Sequence, residues 1–241
     1  MADITPAILE KDFGEIKNKL TFLCGRAKCV QIDICDGIFV AGQTWPFASG
    51  GFNDADFLKI VNEEEGLPFW AEFDFELDLM VADAVENFDI YMKLGPKRMI
   101  FHLSAQKNFD EFEHFLEGLD MYIRDNVEIG LAFKPSDDLS IVSRFSHKVD
   151  FLHCMGSDKL GFQGEVFSEK ALGNIKFLKK NLPGVMISVD IGINLQNAKT
   201  ILDAGADRLT VGSGIWKNPD PISALETFQK LIYFSCDRTK I

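Results

Sequence analysis

Val30-Gln31-Ile32-Asp33-Ile34-Cys35-Asp36-Gly37 reads as a β-branched strand with a polar residue at every other position, breaking into a turn at Asp36-Gly37. Alternation puts Gln31 and Asp33 on one face. The neighbouring segments have helical periodicity, so the strand is expected to be buried on both faces. A carboxylate there costs free energy unless it is satisfied by partners or used in chemistry.

Outward from this strand, short β-like runs alternate with amphipathic runs. Strands are predicted over Ile4–Ile8, Cys29–Ile34, Ala71–Leu77, Lys97–His102, Val127–Ala132, Val149–Met155, Val185–Asp190 and Arg208–Val211. Helices are predicted over Glu10–Leu23, Phe52–Asn62, Ala82–Leu94, Asn108–Arg124, Asp137–Phe145, Ser168–Asn181, Asn194–Ala204 and Ile222–Tyr233. Eight β-α units in 241 residues predict an α/β fold, one (β/α)8 TIM barrel domain spanning residues 1–241. A doubly wound open sheet shares the alternation. The barrel is favoured because no Gly-x-Gly-x-x-Gly follows the first strand and no linker splits the chain.

Composition narrows the function. Hydrophobic residues make up 46% and charged residues 26%, as in globular proteins generally. The formal charge of −12 argues against a nucleic-acid or anionic-membrane partner. The five Cys have no framework spacing and read as free thiols in a reducing compartment. No basic region followed by an apolar run opens the chain, and no apolar run reaches membrane-spanning length, so a cytoplasmic location is expected. The 22 Phe residues leave room for a homo-oligomer interface.

In a parallel barrel, functional residues sit at the C-terminal strand ends. Those ends are predicted to carry Asp33, Glu76 with Asp78, His102, Met155 and Asp190. A single Asp at a strand end commonly caps a loop. Several converging on one mouth is the arrangement for acid–base work or for a hard cation. Asp190-Ile191-Gly192 and Val211-Gly212-Ser213-Gly214 offer small residues whose backbone N–H groups reach an anion, although Gly-Ser-Gly alone is a weak motif. Gly161, Phe162 and Gly164 read as a lid after the sixth strand, against the alternative of an ordinary surface loop. His153 reads as a packed core residue.

Together these segments resemble the ribulose-phosphate 3-epimerase family over nearly the whole chain. Thr5-Pro6-Ala7-Ile8-Leu9 is similar to the family's Pro-Ser-Ile-Leu, and Gln31–Val40 to its His-x-Asp-x-Met-Asp-Gly-His-Phe-Val. Glu76-Leu77-Asp78-Leu79-Met80 is similar to Asp-Val-His-Leu-Met, and Phe101-His102 to Val-His. Met155–Phe167 resembles the family's Met…Gly-Phe-Gly-Gly-Gln-x-Phe loop with one extra residue, and Val189-Asp190-Ile191-Gly192 its Val-Asp-Gly-Gly. Ala204-Gly205-Ala206-Asp207 with Gly212-Ser213 matches its ending.

The resemblance implies a ribulose-phosphate-binding barrel that interconverts D-ribulose 5-phosphate and D-xylulose 5-phosphate, or related ketose phosphates, through an enediolate. It implies Asp33 and Asp190 as the two proton-transfer residues. Met80, His102, Met155, Gly161, Phe162, Gly164, Gly192, Gly212 and Ser213 would bind the phosphorylated ketose. The family's metal set of two His and two Asp maps to Gln31, Asp33, Asp78 and Asp190, so both His are missing. Ala7, Cys35, Ile38 and Ile191 are further departures, standing where the family has Ser, Met, His and Gly. An all-oxygen set favours Mg²⁺ or Mn²⁺ over Zn²⁺. With no metal, one carboxylate is expected to hold a proton, and a protonated Asp78 would donate to the enediolate. Two other functions stay open. A sugar-phosphate aldolase or decarboxylase would require Asp-x-Lys-x-x-Asp on the third strand, which lacks Lys here. A non-catalytic phosphosugar-binding protein would explain the lost His residues.

Overall fold

The structure is a computed structural model and describes residues 3–236. Eight parallel strands close into a barrel in sequence order. They are β1 (Asp3–Ile8), β2 (Cys29–Cys35), β3 (Asp74–Met80), β4 (Arg98–His102), β5 (Glu128–Phe133), β6 (Phe151–Met155), β7 (Met186–Asp190) and β8 (Arg208–Val211). β1 pairs with both β2 and β8, which closes the sheet.

The strand code divides apolar from polar residues between the two faces. One set of alternate residues, such as Val30, Ile32 and Ile34 on β2 and Phe75, Leu77 and Leu79 on β3, joins the large apolar layer with the surrounding helices. Fully burying each such side chain contributes about 1.5–3 kcal/mol. The other set points into the barrel. Cys35, Met80, Ile100, Ala132, Phe151 and Met155 form a small separate apolar cluster there. Gln31, Asp33, Glu76, Asp78, His102, His153, Ser188, Asp190 and Arg208 are buried on those same alternating positions. Gly130 makes room for the interior: a Cβ there would stand 2.4 Å from the Phe151 ring.

The outer ring is built from α1 (Phe13–Leu23), α2 (Ala55–Val61), α3 (Phe88–Met92), α4 (Phe109–Gly118), α5 (Met121–Asn126), α6 (Leu139–Phe145), α7 (Glu169–Asn181), α8 (Ala198–Asp203), α9 (Ser213–Trp216) and α10 (Pro221–Cys236). Side-chain caps start many of them: Asp12, Asp54, Asn108, Asp120, Asp138 and Ser168 each accept a hydrogen bond from an N–H of the first turn. No helix among the described residues is long and apolar enough to cross a membrane.

Several elements are shorter than the sequence predicts, among them α8 and α2, and three departures bear on the site or the helix ring. The helix predicted over Asn108–Arg124 is two helices, α4 and α5. Leu119 turns to an extended backbone, and Asp120 caps a fresh start by accepting from the Ile123 N–H at 2.9 Å. The helix predicted over Ala82–Leu94 contracts to α3. The third strand runs over Asp74–Met80 rather than Ala71–Leu77, because Phe69–Phe73 closes a turn through Phe73 N–H to Phe69 C=O, 3.2 Å. Glu76 is therefore not at the mouth with Asp78. It lies deeper in the barrel, with Oε2 3.1 Å from an Arg208 guanidinium nitrogen and 3.8 Å from one of Arg98.

Candidate active site

β2, β3 and β7 bring three carboxylates to the C-terminal end of the barrel. Asp33 pairs in register with Asp78, and Met155 with Asp190. All three carboxylate residues are buried. Gln31 ties two of them together: its Nε2 donates to Asp33 Oδ1 at 2.7 Å and to Asp190 Oδ2 at 2.9 Å. Its Oε1 has no partner. Asp190 Oδ1 accepts from the Ile191 N–H at 2.5 Å.

Asp78 is held differently. His102 Nε2 lies 2.7 Å from Asp78 Oδ1, while Asp78 Oδ2 has no partner. His153, from β6, stands with Nε2 3.8 Å from Asp190 Oδ2, too far for a hydrogen bond. Neither ring nitrogen of His153 has a hydrogen-bond partner. One donor atom each from Asp78, His153 and Asp190 lies within 4.8 Å of the others, a buried group able to hold a metal ion.

The electrostatics follow from this crowding. Burial and the charges of Asp190 and Asp78 push the Asp33 carboxyl well above the usual carboxylate range, against the opposing Gln31 hydrogen bond. For His153, burial pulls the imidazole down, but Asp190 and Asp78 outweigh it and leave it above its ordinary value. Burial also pushes the Cys35 and Cys154 thiols up, so neither is a ready nucleophile.

Above the carboxylates opens a cleft of about 460 Å³, its mouth included. Asp33, Met80, Met155, Gly161, Phe162, Gly164, Asp190, Gly192, Gly212 and Ser213 all line it, together with Ala7, Gln163, Ile191 and Thr210. Gln31, Asp78 and His102 do not line it; they are buried residues of the barrel interior. Gln163 Nε2 is buried without a partner, beside Gly212. The loops after β6 and β7 are packed tightly on each other. Gly156 N–H donates to the Asp190 carbonyl at 2.6 Å, and a Cβ on Gly156 would collide with the Ile191 carbonyl. Ile191 has φ 68°, in the left-handed region that a β-branched residue rarely occupies.

The loop that begins at Asp36-Gly37 fixes the tips of β2 and β3. Asp36 Oδ1 accepts from the Ile38 and Phe39 N–H groups at 2.7 and 2.8 Å, and Oδ2 from the Ala82 N–H at 2.7 Å. Thr44 Oγ1 donates to the Asp33 carbonyl at 2.6 Å and accepts from the Cys35 N–H at 2.8 Å.

His153 is the member of this cluster that the sequence reading placed in the packed core. The signal for it was present. Met155 is expected at the mouth, and strand alternation puts His153 on the same face, one step down. Gln163 carried no comparable signal, because a loop residue has no period.

A closed parallel barrel with buried carboxylates and a glycine-lined cleft at its C-terminal mouth belongs to the class of (β/α)8-barrel enzymes. Solved structures agree on the fold. The chain superposes on 3-hexulose-6-phosphate synthase from Salmonella typhimurium with a TM-score of 0.68 at 15% identity, covering 97% of this chain and 99% of that one. It matches KGPDC from Streptococcus mutans with a TM-score of 0.66 at 14% identity, covering 97% and 98%. Sequence comparison defines the family. The profile of the Ribulose-phosphate 3 epimerase family matches residues 3–216, and the chain belongs to that family of carbohydrate epimerases. It is 26% identical over 218 residues to the ribulose-phosphate 3-epimerase of Treponema pallidum (strain Nichols), covering 88% of this chain and 90% of the relative. It is 24% identical over 232 residues to that of Bacillus subtilis (strain 168), covering 93% and 97%.

Proposed function

We propose that this chain inverts C3 of a phosphorylated ketose, with D-ribulose 5-phosphate and D-xylulose 5-phosphate as the first pair to test. One observation carries the reading: Asp33 and Asp190, from β2 and β7, both line the cleft and are joined through a single Gln31 amide. The C3 hydrogen is acidified by the neighbouring C2 carbonyl. One carboxylate takes it from one face, leaving an enediolate, and the other carboxylic acid delivers a proton to the opposite face. The pair must then carry one proton between them. The raised affinity of Asp33 for a proton supports that state. The return reaction exchanges the roles.

Gly192, Gly212 and Ser213 are assigned to the phosphate, through backbone N–H groups and the free Gln163 amide beside Gly212. That remote contact orients the sugar without touching the reacting atoms. Met80 and Met155 give the cleft an apolar floor, which keeps water from the enediolate.

The family implies a divalent cation, and the donor set fits one: Asp78 Oδ2 and the His153 ring nitrogens are buried without hydrogen-bond partners next to Asp190. Asp78, His153 and Asp190 would hold it. When bound it spreads the enediolate's negative charge.

Proton NMR of ribulose 5-phosphate in D₂O tests the reading, run with the wild type, with a chelator and with added Mn²⁺. The C3 proton signal should disappear and xylulose 5-phosphate should grow in. Asp33→Asn should slow both by at least about 10²-fold. No exchange with any pentulose or hexulose phosphate under any of these conditions would leave a phosphosugar-binding protein instead.

A further inference from the structure

β2 and β6 are four strands apart in the closed barrel, so Gln31 and His153 approach the acidic cluster from opposite walls. They meet it in different ways. The two hydrogens of the Gln31 amide nitrogen are both used, one on Asp33 and one on Asp190. A nitrogen that donates both its protons has nothing to offer a cation, and in this orientation the unpartnered Oε1 is not the atom turned to Asp33 and Asp190. The reverse orientation would aim the amide oxygen at two carboxylate oxygens.

The opposite wall brings free donor atoms to the cluster. His153 is fully buried and has no hydrogen bond from either ring nitrogen, and Asp78 Oδ2 is likewise buried and free. The His153 Nε2 to Asp190 Oδ2 separation is 3.8 Å. Two donors each about 2.1 Å from a shared ion are at most about 4.2 Å apart. The gap is thus long for a hydrogen bond and short enough for a bridging cation. His102 holds the other Asp78 oxygen at 2.7 Å and so fixes this carboxylate, as outer partners fix metal-binding carboxylates.

We propose that the cation site of this chain is completed from β6 by His153, with Asp78 and Asp190, and that Gln31 is not a ligand but a positioning residue for Asp33 and Asp190. One imidazole with two carboxylates selects a divalent transition cation over Mg²⁺. The proposal rests on the epimerase reading only for what the cation does; binding is measured without substrate.

The experiment titrates chelator-stripped protein with Co²⁺, followed by visible absorption and calorimetry, with Mg²⁺ as the control. Wild-type protein should bind Co²⁺ saturably and more tightly than Mg²⁺. His153→Asn should weaken Co²⁺ by more than about tenfold, the lower end of what loss of an outer partner alone produces. Gln31→Leu, which removes an outer partner of Asp190 but no ligand, should weaken Co²⁺ less than His153→Asn does while lowering kcat for C3 exchange. Absence of saturable Co²⁺ binding by the wild type overturns the proposal, as does weakening by Gln31→Leu but not by His153→Asn. Should His153→Asn fail to fold, ¹⁵N-histidine NMR of the wild type with Zn²⁺ reads the ring directly. His153 is assigned there through the Phe151 ring, 6.5 Å away between centroids, and a His153 ring unmoved by Zn²⁺ also overturns the proposal. Saturable binding without C3 exchange keeps this site and removes the proposed reaction.

Discussion

The Glu76 carboxylate on β3 lies 3.1 Å from the Arg208 guanidinium on β8, buried below the acidic cluster. Arg208 also stacks over the Phe151 ring at 4.4 Å and donates from Nε to Ser188 Oγ at 3.2 Å. Glu76 stands two residues before Asp78 on β3, one interior step down the strand. Arg208→Met strands a buried charge whose next cation, Arg98, is 3.8 Å away. The loss should be about 3–5 kcal/mol. The double variant Glu76→Leu/Arg208→Met should recover most of it, since removing both charges removes the desolvation cost. Urea denaturation of the two variants decides; equal losses in both would show that the ion pair is not the cause.

Asp54 links two outer elements and gives a pH signature. Its Oδ1 accepts from the Trp45 indole at 2.9 Å and from the Phe57 N–H at 2.8 Å, capping α2. Burial raises its pKa, but the hydrogen bonds from Phe57, Ser49 and Trp45 outweigh that and hold it below the usual carboxylate value. A carboxylate with a depressed folded pKa stabilises above its unfolded pKa, about 3.9 for Asp, and that contribution is lost as pH falls through the folded value. Asp54→Ala should cost about 0.5–2 kcal/mol at neutral pH. The difference from wild type should shrink below about pH 4. A gap that stays constant from pH 7 to pH 2.5 in thermal melts would rule out the ionised cap.

How far the sequence reaches is visible at β3. The apolar run predicts a strand over Ala71–Leu77 with Asp78 at the mouth, and the observed strand is shifted to Asp74–Met80, because Phe69–Phe73 is as apolar as a strand. What stops the strand from starting there is a turn and the Asp74 N–H bond to Lys28 C=O at 2.8 Å, a contact with a distant segment. Glu76 was therefore assigned to the mouth, although its partner Arg208 is far away in sequence. Asp33, Asp190, Met155 and the cleft glycines are legible because strand ends and turns have local signatures, whereas Met80 enters only through the family resemblance. The free valences of His153 and Asp78 are not legible, since they depend on which neighbours fail to reach them.

Asp36 holds the mouth without lining the cleft. Its two oxygens accept three N–H groups, from Ile38, Phe39 and Ala82. Asp33 and Asp78 sit near the tips that this carboxylate joins. Asp36→Ala leaves those donors unpaired, at about 1–3 kcal/mol for each group that stays buried. Lower stability should come with faster hydrogen exchange at Ile38, Phe39 and Ala82, and with C3 exchange slowed mainly through kcat. Unchanged protection at those amides would mean that the loop is held by other contacts.

Ile191, which the sequence resemblance sets opposite a family glycine, has φ 68° and lies next to Gly192 and against the cleft. The left-handed conformation costs an L-residue about 1–2 kcal/mol. Glycine would remove that strain but gives back about 0.5–1 kcal/mol in backbone entropy and loses the packing of Ile191 on the interior cluster. Ile191→Gly should therefore change stability little. Its effect should fall on binding, because the branched side chain narrows the approach to the Gly192 N–H that the phosphate reading uses. The expected outcome is a lower KM for the ketose phosphate and tighter inhibition by inorganic phosphate, with kcat nearly constant, since Asp33 and Asp190 are untouched. A fall in kcat at unchanged KM would instead show that the stiff Ile191 backbone fixes the N–H that Asp190 Oδ1 accepts at 2.5 Å, a donor that glycine keeps but holds less rigidly. Steady-state kinetics with phosphate as competitor separates the two.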